Sequence, residues 1–138
     1  MILLDTNVVS EPLRITGDVG VIAWIDAQII ETLYLSAISL AALRFGIVAL
    51  PLGKRKDTLH TSLEQRILPL FAGRILPFDA SASEAYAALR ASARAQGRAI
   101  AAADGYIAAT AASHGLIVAT RDTGPFEAAG LKVINPWG

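Results

Sequence analysis

The chain has 138 residues and a mass of 14.5 kDa, one domain's worth of polypeptide over 1–138, enough to bury about two-thirds of its unfolded surface. Twelve Lys and Arg balance twelve Asp and Glu, which argues against nucleic-acid binding by bulk charge and leaves room only for a local basic patch. The hydrophobic share of 54% and the mean hydropathy of +0.49 point to a large core or to a surface covered by a partner.

Ile2-Leu3-Leu4 is a short apolar run closed by Asp5-Thr6-Asn7, a buried strand entering a turn or helix cap. Val19, Ile22, Ala23 and Ile25 follow at helical spacing beside Trp24. Leu33-Tyr34-Leu35-Ser36 predicts a second strand, and Ala37 to Leu50 a helix stopped by Pro51. Lys54-Arg55-Lys56 is the one basic run, and from it to Phe71 the spacing of Leu59, Leu63, Ile67 and Leu70 predicts an amphipathic helix. A strand is expected at Arg74-Ile75-Leu76, an Ala-rich helix from Ser81 to Gln96 capped by Gly97, and another from Ile100 to His114 before Gly115. Leu116 to Ala119 reads as strand, Thr120 to Pro125 as turn and Leu131 to Ile134 as a last strand. Strands that are apolar runs, alternating with helices, imply an α/β fold whose parallel sheet is covered on both faces.

Several chemistries are excluded at once. Without cysteine there is no thiol nucleophile, disulfide or Cys-ligated zinc, which fits a cytoplasmic location, and His60 and His114 are too far apart for an HExxH site. The uncharged stretches Thr32 to Leu43 and Gly105 to Thr120 fall short of the ~18 residues a membrane helix needs, and MILLDTN lacks the basic region of a signal peptide. No phosphate-binding Gly-rich loop is present, since Gly53-Lys54 is followed by Arg55 and Val48 stands at the upstream glycine position.

What remains is acidic. In open parallel sheets ligands bind beyond the carboxyl ends of the strands. Asp5 and Asp122 stand at such ends, and Asp104 opens the helix containing the apolar Ile107, Ala108 and Ala111. Singly, Asp5 and Asp122 read as caps and Asp104 as a first-turn acid favoured by the helix dipole. Together they would repel, by roughly 4 kcal/mol for two carboxylates at about 4 Å and an effective dielectric near 20, unless a cation or shared protons intervene. Oxygen-only donors suit Mg²⁺ or Mn²⁺, which commonly sit against phosphates and activate water. Thr6, Asn7 and Thr120 are placed to orient such acids, with local turn bonding the ordinary alternative for Asn7. Arg44 and Arg121, near the acids in sequence, would contact phosphate or pair with carboxylates, and Lys54, Arg55 and Lys56 would guide a polyanion or form a solvated helix start. Asp79 reads as a helix cap, Trp24, Trp137 and the tyrosines as core or interface anchors, and both histidines as structural or exposed.

The segments MILLDTNVVSE, YLSAISLAALRFGI, RILPFD, IAAADGYIAATA, LIVATRDTGPFE and the final NPW resemble, over nearly the whole chain, the PIN-domain ribonucleases, and within them the VapC-type toxins of type II toxin–antitoxin systems, closest to the FitB-like branch. The resemblance implies a three-layer α/β/α PIN fold, a Mg²⁺-dependent endoribonuclease (Mn²⁺ being the other candidate ion), and Asp5, Asp104 and Asp122 as metal-binding, catalytic acids. It also implies a homodimer and an antitoxin, expected to carry a ribbon-helix-helix domain, through which operator DNA is bound. The apolar helices between Ala37 and Phe71 are expected to supply part of the dimer interface or of the antitoxin groove.

One departure stands out. This branch usually reads AEL where this chain has Ala41-Ala42-Leu43, so the fourth acid, normally Glu, is Ala42. From spacing alone Ala42 reads as a small core residue beside Ile38, Phe45, Gly46 and Ala49. The intact remainder of the motif fits an introduced substitution better than a naturally weakened member. Loss of that carboxylate would weaken metal affinity and cleavage while sparing fold and antitoxin binding, and a non-cleaving module that only binds antitoxin or RNA is the second reading. A phosphoacceptor receiver domain would need paired acids after the first strand, and a haloacid-dehalogenase-type phosphatase a second Asp where Asn7 stands.

Overall fold

In the computed structural model, which describes residues 1–138, five short strands form one sheet. These are β1 (Ile2–Leu4), β2 (Leu33–Ser36), β3 (Ile75–Leu76), β4 (Ile117–Ala119) and β5 (Val133–Ile134), ordered β3-β2-β1-β4-β5. Every pairing is parallel, with Leu4 opposite Leu35 on one side and Ala119 on the other. Parallel strands need long crossovers, and the helices that supply them cover both faces, so the central strands are apolar throughout.

The first layer contains α1 (Thr6–Val9), α2 (Val19–Asp26), α3 (Ala37–Val48) and α4 (Lys54–Thr61). Val8, Val9, Val21, Leu40, Leu43 and Ile47 pack there against Leu4, Leu33, Leu35 and Ala119 of the sheet. The opposite layer contains α5 (Ala80–Ala95), α6 (Ala102–Ser113) and α7 (Thr123–Ala128). Leu89, Ala93, Ile107, Ala108 and Phe126 pack there against Leu3 and Val118. Successive residues of one strand thus enter different cores, and the three-layer α/β/α expectation holds.

α5 and α6 approach closely because of one glycine. A Cβ at Gly105 would stand 3.0 Å from a ring carbon of Tyr86 and 3.2 Å from Cδ of Arg90, so glycine lets α6, and with it Asp104, settle against α5. Tyr86 stacks on Tyr106 with ring centroids 4.7 Å apart, and Phe78 meets both edge-on. Trp24 and Trp137 pack against the first core, so these aromatics are anchors. Asp79 caps α5, its Oδ1 accepting from the Ala82 amide at 2.9 Å.

Two expectations need correction. The helix predicted from Lys54 to Phe71 is three pieces: α4, a wide π-type turn over Ser62–Ile67, and a 3₁₀ turn over Leu68–Phe71. Pro69 donates no hydrogen bond and tightens the last piece. The segment Thr120 to Pro125, predicted as turn, runs into α7 at Thr123. Pro125 is its third residue, where the amide would have no partner within the helix, so proline costs nothing there.

Candidate carboxylate site

The sheet order places β1 at the centre, with β2 and β3 on one side and β4 and β5 on the other. The connection after β1 leads toward β2 and that after β4 toward β5, so their carboxyl ends diverge around a crevice, the usual ligand position in open α/β sheets. Asp5 is the first residue beyond β1, and Thr120 the first beyond β4. The Asp5 amide donates to the Ala119 carbonyl at 2.9 Å, which fixes the two ends side by side.

Asp5 is only 5% exposed. Its Oδ1 accepts from the Thr6 amide at 2.8 Å, so it does cap α1, and its Oδ2 accepts from the Thr120 hydroxyl at 2.9 Å. Burial pushes this carboxyl above the usual carboxylate range. The Thr120 and Thr6 hydrogen bonds oppose that rise, while the charges of Asp104 and Asp122 add to it. Asp104, in the first turn of α6 and half-buried, is raised by burial and then by Asp122. Asp122 occupies the cap position of α7 without capping it through its side chain, and it is exposed. Three acids from the ends of β1 and β4 and the start of α6 therefore repel one another across one crevice.

No cation offsets them. The two salt bridges of the molecule are Arg14–Glu11 at 2.8 Å and Arg44–Glu64 at 2.7 Å. Arg44 thus pairs with a carboxylate outside the crevice, and the Arg121 guanidinium lies 5.2 Å from the centre of the Trp137 ring. An all-oxygen donor set with uncompensated charge has the chemistry a hard divalent cation requires. No three acidic or histidine side chains stand close enough to enclose an ion unaided.

Around the acids runs a polar brace. The Thr120 hydroxyl, besides donating to Asp5, accepts from the Asp122 amide at 3.0 Å and from Asn7 Nδ2 at 3.3 Å. Asn7 Oδ1 accepts from the Arg121 amide at 3.3 Å. Asn7 is therefore a tie between α1 and the β4 end, not the local turn residue its spacing allowed. Thr6 contributes its backbone amide to Asp5.

Ala42 is exposed, as are its helical neighbours Phe45, Gly46 and Ala49, so it is not a core residue. It lines a groove of about 860 Å³ between the α1–α2 connection, α3 and α4. The three aspartates are not among the lining residues. Glu11, unremarked in the sequence, is 3% exposed and holds both Arg14 and the Asp18 amide. No spacing signal marks it, because its partners belong to an irregular loop.

The model of the PIN domain matches residues 2–131. The chain belongs to the PIN-domain family. It is 61% identical over 137 residues to the VapC ribonuclease Y4jK of Sinorhizobium fredii, covering 99% of this chain and 98% of that protein. It is likewise 61% identical to the toxin FitB of Neisseria gonorrhoeae over 99% of both chains. Its backbone superposes on the structure of FitAB bound to an IR36 DNA fragment with a TM-score of 0.97, at 58% identity and with 100% of this chain and 96% of that chain covered. This PIN domain thus sits within the VapC and FitB group of toxin–antitoxin toxins. No helix in it is long and apolar enough to cross a membrane.

Proposed function

We propose that this PIN domain is the toxin of a type II toxin–antitoxin pair and a divalent-metal-dependent endoribonuclease whose activity is weakened by Ala42. The observation that carries the reading is the convergence of Asp5, Asp104 and Asp122 at the β1–β4 crevice with no cation to balance them. These three acids are assigned to the metal, with Mg²⁺ or Mn²⁺ as the fitting ions. When bound, the ion would supply an activated water and neutralise charge on a phosphodiester. The chain's own part is orientation: the Thr6 amide and Thr120 hydroxyl fix both oxygens of Asp5, and Asn7 keeps the end of β4 in place.

The relatives named as ribonuclease and as toxin support the chemistry, and the DNA-bound FitAB assembly supports a DNA-binding antitoxin as partner. Phe45 and Val48 on α3, and Leu52 after it, are 74%, 66% and 93% exposed. Such apolar side chains suit contact with an antitoxin or with a second copy of the chain.

Ala42 also favours a second reading, a module that binds antitoxin or RNA without cutting. Structured RNA incubated with this chain, with Ala42→Glu and with Asp5→Asn in Mg²⁺ or Mn²⁺ separates the two. Ala42→Glu is expected to cleave faster by at least about 10–100-fold, the loss typical even of groups outside the metal's direct ligands, and Asp5→Asn to abolish cleavage. Equal rates for the unaltered chain and Ala42→Glu would remove position 42 from the site. Firm antitoxin binding with no cleavage by any variant would establish the binding module.

A further inference from the structure

The groove that Ala42 lines is one-sided in charge. Its charged lining residues are Arg14, Lys54 and Arg55, and no Asp or Glu lines it. In a chain with twelve cations and twelve anions, this is a local positive wall. The floor is aliphatic, with Leu13, Ile47 and Leu59 among its residues.

The three residues of the basic run have different fates. Lys56 is pinned, its Nζ donating to the Val48 carbonyl at 2.9 Å and so closing the end of α3. Lys54 and Arg55 are exposed, and neither belongs to either salt bridge. Both stand in the first turn of α4, where the helix dipole opposes positive charge. Neither side chain is paired within the fold, which leaves both free for an anion in the groove.

We propose that Lys54 and Arg55 bind backbone phosphates of single-stranded RNA laid along this groove, with unpaired bases resting on its aliphatic floor. The inference rests on the ribonuclease reading and adds the path by which substrate reaches position 42. A single strand fits better than a duplex, because bases must be free of a partner to reach an apolar floor; with no aromatic side chain lining the groove, the cations carry the affinity and the floor only packs against the bases. Arg14, held at 2.8 Å by Glu11, is a fixed part of the wall.

The test measures binding in EDTA, where cleavage cannot interfere, using a fluorescent mixed-sequence single-stranded RNA and anisotropy across a salt series. Lys54→Ala/Arg55→Ala is expected to bind at least about tenfold more weakly at low salt. Its log–log salt slope should be shallower by about 1.4, or 0.7 for each phosphate of a single strand that is no longer neutralised. Lys132→Ala, an exposed cation elsewhere, should change neither, and the melting temperature of the double variant should not fall. An unchanged affinity and slope, an equal loss in Lys132→Ala, or no RNA binding by the unaltered chain overturns the proposal. So does an acidic peptide that needs Lys54 and Arg55 while RNA does not, which would assign the groove to a protein partner. The two readings fail separately. RNA held here but never cleaved, even by Ala42→Glu, leaves the groove and removes the nuclease; metal-dependent cleavage with unaltered RNA affinity in the double variant does the reverse.

Discussion

A threonine hydroxyl can donate one hydrogen bond and accept two, and Thr120 uses all three. It donates to Asp5 Oδ2 at 2.9 Å and accepts from the Asp122 amide and Asn7 Nδ2. Valine has the same shape without the oxygen, so Thr120→Val leaves a buried carboxylate oxygen, the Asp122 amide and Asn7 Nδ2 without this partner. A loss of about 1–3 kcal/mol is expected by urea denaturation, with Thr120→Ser close to the parent. A valine variant as stable as the parent would show that the hydroxyl does not brace the site. The placement of the three aspartates, at strand ends and in a first helical turn, was legible from sequence. Asn7 was marked by its place after β1, but its bonding partner was not legible, since Thr120 lies 113 residues away and only the parallel pairing of β1 with β4 brings the two together. Ala42 was misplaced for a related reason. Its periodicity matches a buried face, but the outer side of α3 also carries the exposed Phe45 and Val48.

Between α1 and α2 the chain is held less by regular structure than by one buried carboxylate. Glu11 opens the 3₁₀ turn Glu11–Leu13, with Oε1 accepting from Arg14 at 2.8 Å and Oε2 from the Asp18 amide at 2.6 Å. Gly17 completes the loop, since a Cβ there would meet the Glu11 carbonyl oxygen at 2.4 Å. The Asp18 amide holds the Glu11 carboxyl below the usual carboxylate range, burial opposes it, and Arg14 adds to the lowering. A lowered value means the ionised form stabilises the fold above the ordinary carboxylate range, and that this contribution disappears as pH falls through the lowered value. Glu11→Gln is therefore expected to lose about 1–3 kcal/mol at neutral pH, the worth of hydrogen bonds to a charged group, and to converge with the parent in strong acid. Urea unfolding at both pH values checks it, and an equal penalty at both would make the effect one of shape. Regular elements with full apolar faces, such as β1, β2 and α6, were legible from spacing alone. The π-type turn after α4 and the proline-bearing start of α7 were not, because apolar spacing does not distinguish an α-helical turn from a wider one and Gly124-Pro125 looks like a stop.

At the scale of the molecule, zero net charge conceals separation. A crevice holding Asp5, Asp104 and Asp122 has no paired cation, while Lys54 and Arg55 stand unpaired on a groove wall. The crevice charge costs stability when no ion is bound, and a divalent ion that binds only the folded chain should restore it. At a hundred times its dissociation constant the gain is roughly 2.7 kcal/mol, a rise of several degrees in melting temperature for a chain of this length. Asp104 is the cleanest position to test, because its side chain is raised by burial and by Asp122 and no hydrogen bond ties it to a neighbour. A raised carboxyl destabilises the fold at pH above its folded value, and that penalty fades as the group protonates. Asp104→Asn should therefore melt higher than the parent in EDTA at neutral pH, with the gap closing toward acid, and should lose most of the rise that Mn²⁺ gives the parent. Thermal melts in EDTA and across a Mn²⁺ series read both effects. Equal metal responses would remove Asp104 from the ion's surroundings, and a lower melting point in EDTA would mean that its charge supports α6 more than it strains the crevice.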